Sequence, residues 1–475
     1  MREVSVSAVP IDRFARVLPP ERVALLQEVA DRSSLLLRGR TVWNVSSTER
    51  GGGVAEMLQT LVAYGRGAGI ETRWFVLTGD ERFFTVTKRL HNLLHGFPGD
   101  RGGLDEADRD HYRDVMARNL EVWQNRVRPG DIVLLHDPQT AGMAGALRDQ
   151  GAHVVWRCHI GADRADGHSG RGWEFLRPFV EAADVCVFSR REYAPAWLPT
   201  SRVRVIPPSL DPFSAKNAPM TTDSIRGALH RAGIVEQLTG DGTLAFVRRD
   251  GTAGTVRAHH GLLLDEDRPL PADADVLLQV SRWDHLKDMA GVLTGFTDHV
   301  DRFPDGVHLL LVGPNVGGVS DDPEGAQVLG ECRELRAALP PSQRARVHLC
   351  CLPMDDVDEN AHLVNALQRH ATVVVQKSLM EGFGLTVTEP MWKKRPVVAS
   401  AVGGITDQIE DDRTGVLLED PTDLDRFAAL AADLFKDPER RARLGAAAHE
   451  RVTSAYLGDR HLIQYGELFA SLVAG

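Results

Sequence analysis

Thr372-Val-Val-Val-Gln-Lys377-Ser-Leu-Met-Glu381-Gly-Phe-Gly384-Leu-Thr-Val-Thr-Glu389 decides the fold. Thr372 to Gln376 is apolar and β-branched, the pattern of a strand covered on both faces of a parallel sheet. Gly382 and Gly384 then break the chain, and Leu385 to Lys393 resumes as a short helix. A strand, a glycine turn and a helix N-terminus make an anion site, because free backbone N–H groups and the positive end of the helix dipole point the same way. Glu381 sits in the turn and Glu389 further along the helix. Carboxylates repel phosphate but accept well from sugar hydroxyls. Glycine amides for a diphosphate with two acids for two sugars is the chemistry of a nucleotide-sugar pocket. Taken alone, the stretch also reads as a Rossmann-like turn carrying surface acids.

A chain of 475 residues accommodates two domains of ordinary size. With 43% hydrophobic and 25% charged residues the composition is globular, and a net charge of -11 argues against a nucleic-acid binder, whose footprint is basic. The 5 cysteines (158, 186, 332, 350 and 351) have no CxxC spacing and lie in apolar runs, which reads as reduced core thiols and a cytoplasmic setting. No secretory signal and no apolar run near ~20 residues is present, so no membrane partner is expected.

Further strand–turn–helix units flank the opening stretch. Residues 20–37 carry apolar positions at helical spacing, a helix that can support a homodimer. Thr41 to Ser46 is a strand, followed by Gly51-Gly52-Gly53 and a helix from Val54 to Gly65, a second unit with anion-binding logic. It is not GxGxxG, so a dinucleotide fingerprint is unsupported. Strands at 131–135, 153–157, 185–188 and 203–206 alternate with helices, which implies a doubly wound parallel sheet. His136, Asp137, Gln139, His159 and Gly161 fall just past strand ends, where such sheets bind ligands. Residues 209–272 lose this rhythm and read as a linker plus an insertion, with a hairpin turning near Asp250-Gly251. A second parallel sheet begins at Asp275 and continues at 307–312, 347–352, 372–376, 396–399 and 415–418. The domains are therefore expected at 1–208, 273–455 and, for a C-terminal helix packing back on the first domain, 456–475.

The second sheet's first strand ends in Ser281-Arg282-Trp283-Asp284-His285-Leu286-Lys287-Asp288. Arg282 and Lys287 beyond a strand end can converge on one diphosphate, the first as a bidentate fork and the second as a point charge. No DxD triplet suited to a metal-bridged sugar nucleotide accompanies them. Asp273-Ala-Asp275 precedes a strand away from the other site residues, and Asp163-Arg-Ala-Asp166 has the wrong spacing. No metal and no cofactor are expected.

Arg282, Lys287, the Glu381-x7-Glu389 spacing and the 51–53 glycines together resemble the retaining GT-B glycosyltransferases of family 4. Val42-Trp-Asn-Val45, Gly51 to Leu58, His136 to Gln139, Trp156 to Ile160, Pro207 to Asp211 and Gln279 to Asp284 are similar to the trehalose glycosyltransferring synthases. The resemblance covers nearly the whole chain outside 209–272. It implies an α/β fold of two Rossmann-like doubly wound domains facing a cleft, with a nucleotide-sugar donor and a small sugar acceptor as partners. The reaction it implies joins the glucose of a nucleoside diphosphate glucose to free glucose, giving α,α-trehalose without a metal.

Position by position, the resemblance implies that Arg282 and Lys287 hold the diphosphate and stabilise the leaving group. Glu389 accepts from ribose hydroxyls. Glu381, with the amides of Gly382, Phe383, Gly384 and Leu385, holds the donor sugar and distal phosphate. Gly52 and Gly53 approach the phosphates, and His159 contacts the donor sugar near its reacting carbon. Asp137, Gln139 and Arg157 line the acceptor side. Trehalose phosphorylases resemble these enzymes too. A relative using an altered sugar or cyclitol donor, or another acceptor, and a non-catalytic sugar-nucleotide sensor complete the alternatives.

Overall fold

The computed structural model describes residues 1–49, 53–100, 102–123, 126–163, 167–236, 243–265, 268–316 and 323–474. The chain divides into two compact units, Met1–Leu210 with Tyr456–Gly475, and Asp211–Ala455.

In the first unit the strands are β1 (Arg2–Val4), β2 (Val42–Ser46), β3 (Thr72–Val76), β4 (Ile132–His136), β5 (His153–Cys158), β6 (Val185–Phe188) and β7 (Val203–Val205). They form one sheet in the order β1-β3-β2-β4-β5-β6-β7. All neighbours run parallel except β1, which lies antiparallel on the edge against β3. Every residue of β2, β4 and β6 is buried, because helices cover both faces and leave no solvent side for polar alternation. The sheet winds one way from β2 to β3 and the other from β2 to β4. That reversal places the β2 and β4 ends at the switch point where open α/β sheets bind ligands. The helix Gly458–Ala474 returns to this unit and packs on the helix Pro20–Leu36, with Arg22 paired to Asp459 at 2.5 Å. The two helices approach closely at Gly466, where a Cβ would lie 2.7 Å from Val29 Cγ1.

The second unit holds the hairpin β8 (Ala245–Val247) and β9 (Ala253–Thr255), then β10 (Asp275–Val280), β11 (Val307–Pro314), β12 (Val347–Leu352), β13 (Val373–Gln376), β14 (Val397–Ser400) and β15 (Val416–Leu418). The six later strands are all parallel, in the order β12-β11-β10-β13-β14-β15. Winding reverses between β10 and β13, so the loops after these two strands emerge side by side.

The segment expected as a linker and insertion is built into this second unit. A helix, Thr222–Arg231, starts on Thr221, whose hydroxyl accepts from Ser224 N at 3.1 Å. The hairpin docks on the helix Val357–His370 through Arg248–Asp356 (2.6 Å), Arg249–Asp358 (2.8 Å) and a ring stack of Phe246 on His362. Arg257 and His259 close over the buried Glu359 at 2.6 and 3.0 Å. Among the described residues no helix is long and apolar enough to cross a membrane.

Candidate functional site

In the second unit the expected donor-side residues lie on the loops after β10 and β13. Leu379 N donates to Leu286 O at 2.8 Å, so the two loops are joined through their backbones. Lys377, 1% exposed, staples the same junction: its ammonium donates to the Asp288 carboxylate and, at 2.6 Å, to Pro421 O. Asp288 itself adopts a left-handed backbone (φ 50°) and caps the helix Met289–Asp298 by accepting from Gly291 N. Gln279 Nε2 donates to Lys287 O at 2.8 Å and fixes the far end of the loop. The result is that Lys287 Nζ reaches Glu381 Oε2 at 2.5 Å.

Gly384 (φ 88°, ψ 63°) starts the helix Leu385–Trp392 from the left-handed region, which a side chain resists. A Cβ there would also lie 3.1 Å from Glu381 Cγ. Gln408 holds the turn, donating to Phe383 O at 2.5 Å and accepting from Thr388 Oγ1 at 2.5 Å. Gly404 lies so close beneath that a Cβ would meet Phe383 Cα at 2.7 Å. The first-turn amides Leu385 and Thr386 have no intrahelical acceptor by construction of the helix. Thr386 Oγ1 is buried with no partner among the described residues. A cation and helix-terminal amides near one carboxylate can hold a diphosphate and the sugar attached to it.

Arg282 and Glu389 have partners of their own. Arg282 lies on the Lys287 loop, half exposed, with its guanidinium 2.8 Å from Asp284. Glu389 is 3% exposed and already engaged on both oxygens, by Lys216 Nζ at 3.1 Å and Gln368 Nε2 at 3.2 Å. Lys393 backs it, donating to Gln368 Oε1 and Asn217 Oδ1. Ionised carboxylate oxygens have about four lone-pair positions, so two remain for hydroxyl donors. The sequence reading did not find Lys216, Gln368, Lys377 or Thr386.

In the first unit, His136 is the last residue of β4 rather than a residue beyond it. Asp137 turns the chain in a left-handed conformation (φ 64°) and its Oδ1 accepts from His159 N at 2.7 Å. Asp137 N donates to Arg157 O, and Trp156 Nε1 donates to Asp137 O at 3.1 Å. Burial pushes the Asp137 carboxyl up to about 7. His136 Nδ1 lies 3.2 Å from His159 Nε2, and His136 Nε2 lies 3.3 Å from Asn44 Oδ1. Burial, assisted by Arg157, lowers His136 to about 3 and holds His159 well below the ordinary imidazole range.

Arg157 was expected to line the acceptor side, but it is fully buried. Its Nε lies 3.4 Å from His159 Nδ1 and a terminal nitrogen lies 3.3 Å from Ser189 Oγ. Gln139 follows on the Asp137 loop, and its Oε1 is buried without a partner among the described residues. Gly53 is the first residue of the helix Gly53–Gly67, while Gly51 and Gly52 lie outside the described residues. Among the described residues no group of three or more His, Cys, Asp or Glu is placed to hold a metal ion.

Residues 44–195 match the family model described as trehalose synthase, N-terminal domain, and residues 351–451 match glycosyl transferases group 1. A trehalose synthase of Pyrococcus horikoshii is 33% identical over 99% of each chain. A trehalose phosphorylase of Pleurotus pulmonarius is 24% identical over 86% of this chain and 54% of its own. Among solved structures, a trehalose-6-phosphate protein from E. coli bound with UDP-2-fluoro glucose superposes with a TM-score of 0.64 at 13% identity, covering 91% of this chain and 98% of that one.

Proposed function

The chain belongs to the trehalose synthase family of GT-B glycosyltransferases, and from that premise we propose that it moves glucose from a nucleoside diphosphate glucose to free glucose, with retention, to form α,α-trehalose. The observation that carries the donor side is the Lys287–Glu381 contact beside the Gly384 turn. Lys287 and Arg282 neutralise the diphosphate, and the amides from Gly382 to Leu385 bind its distal phosphate. Glu381 and Glu389 accept from hydroxyls of the glucose and the ribose. The E. coli neighbour binds a UDP sugar, which supports the nucleotide as donor.

In the proposed step the bond from the anomeric carbon to the distal phosphate oxygen breaks, and its electron pair leaves on the diphosphate. The glucose hydroxyl adds to the same face and passes its proton to the departing phosphate oxygen. Charge grows on the leaving group, where preorganised cations stabilise it most and a metal ion is not required. In this reading Asp137 and Gln139 are hydroxyl partners and His159 is the residue nearest the reacting sugar.

Phosphorolysis is the second reading, favoured by the phosphorylase relatives alone. Incubation with several nucleoside diphosphate glucoses and glucose, followed by sugar analysis, tests the proposal. Trehalose and stoichiometric nucleoside diphosphate are expected. Trehalose cleaved only with inorganic phosphate, giving glucose 1-phosphate, would replace this reading by the second one.

A further inference from the structure

A cavity of about 50 Å³ lies in the first unit beside Asn44, bounded by the helices Pro20–Leu36, Gly53–Gly67 and Gly458–Ala474 and by β2 and β3. Its wall is mostly apolar, with Leu26, Leu61 and Phe469 among its residues. Three polar atoms among its lining residues are unpartnered, while Thr72 Oγ1 donates to Ile70 O. Ser33 Oγ, Asn44 Nδ2 and Tyr465 OH have no hydrogen-bond partner among the described residues, and the three residues are 2%, 1% and 1% exposed. A buried polar atom without a partner costs about 1–3 kcal/mol. A space of this size accommodates about three water molecules, each of which needs two to four polar neighbours.

The direction of the neighbouring hydrogen bonds says what the cavity must supply. A guanidinium can only donate. Arg157 Nε, 3.4 Å from His159 Nδ1, therefore makes that nitrogen an acceptor. The neutral His159 ring then carries its hydrogen on Nε2, 3.2 Å from His136 Nδ1. That nitrogen accepts in turn, so the His136 hydrogen sits on Nε2 and is donated to Asn44 Oδ1. The reverse order would point two N–H groups at each other between Arg157 and His159. Asn44, which lines the cavity, is left with its Nδ2 without an acceptor among the described residues.

We propose that this cavity is a built water site: ordered water accepts from Asn44 Nδ2, joins it to Ser33 Oγ and Tyr465 OH, and completes a one-way relay that holds His159 in its Nε2–H tautomer. Asn44 is thus a positioning residue, acting through His136. The consequence for catalysis rests on His159 facing the sugar, as proposed above. A ring committed on both nitrogens and kept neutral transfers no proton.

Two measurements on the full chain test this without using turnover, so they stand or fall separately from the reaction assigned above. In the first, long-range 1H–15N correlation on histidine-labelled protein reads the tautomer between pH 6 and 9, with His159→Gln identifying the signal. His159 is expected as the neutral Nε2–H form throughout, and Asn44→Ala is expected to lose that single form and give a mixture. An Nδ1–H or protonated ring in the wild type, or an unchanged tautomer in Asn44→Ala, overturns the relay. In the second, a high-resolution crystal structure of the wild-type protein is expected to show water within hydrogen-bond distance of Asn44 Nδ2 and of Ser33 Oγ or Tyr465 OH. A dry cavity overturns the water site even if the variant does not fold.

Discussion

Lys287 Nζ lies 2.5 Å from Glu381 Oε2, so the loops after β10 and β13 present one cation and one carboxylate as a single unit. Both side chains are largely buried, 16% and 11% exposed, so the contact is only weakly screened by solvent. In the proposed reaction a donor diphosphate would compete for the Lys287 ammonium, and a donor sugar for the Glu381 oxygens.

Lys287→Ala and Arg282→Ala should therefore lower kcat by about 10²–10³-fold, the range for removing one preorganised charge-stabilising group. Glu381→Gln should cost less, because size and polarity remain. The contact adds a coupling: the pair should be strongly non-additive, with Lys287→Ala/Glu381→Gln little worse than Lys287→Ala alone. Steady-state kinetics on the four proteins, after circular dichroism shows them folded, decides this. Near-normal kcat in both cation variants would make Arg282 and Lys287 ordinary loop residues.

Glu389 should act on binding rather than turnover. Contacts to ribose hydroxyls are similar in ground and transition states, and such uniform binding shows in KM. Glu389→Ala is expected to raise the donor KM by about 10-fold or more, at about 1.4 kcal/mol per tenfold, with kcat nearly kept. Lys216→Met should move KM the same way, because it releases one of the two holds on the carboxylate. It should also lower the thermal midpoint, since removing one partner of a buried pair leaves a charge uncompensated. Donor-concentration series and a melting curve test both.

Turnover should survive chelation. The proposed neutralisation uses Arg282, Lys287 and helix-terminal amides, none of which needs an ion. Initial rates in excess EDTA are expected to equal those in buffer. Loss of activity restored by Mg²⁺ or Mn²⁺ would replace these cations by a metal as the diphosphate's counter-charge.

The doubly wound architecture was legible because buried parallel strands leave continuous apolar runs ended by glycine or polar turns, as in Thr372–Gly384 and Thr41–Gly53. β1 was not, since three residues carry no period. Nor was the helix Thr222–Arg231, whose cap and ends sit in a polar, proline-containing segment. Strand order is set by crossovers, not by local pattern, so the side-by-side emergence of the Lys287 and Glu381 loops appears only in the sheet. Lys216 and Gln368 reach Glu389 from distant elements, and nothing near them in sequence marks them. Arg157 was named for the acceptor side by resemblance, and its complete burial at the end of β5 is not visible in the sequence.

Asp137 gives the remaining test, through stability rather than rate. Burial raises its carboxyl from 3.8 to about 7 in the folded chain. Between those values the folded state holds a proton that the unfolded state has released, so unfolding free energy falls as pH rises. The contribution is fully present below about pH 4, is lost progressively up to about pH 7, and changes little above that. At 1.36 kcal/mol per unit it amounts to at most about 4 kcal/mol. Asp137→Asn keeps an oxygen to accept from His159 N and tolerates the left-handed backbone, but does not titrate. Urea midpoints of the two proteins, measured from pH 4 to 8, should therefore diverge with rising pH, the variant gaining on the wild type until about pH 7. Parallel curves across that range would mean that Asp137 is ionised throughout and that its burial is offset by Arg157.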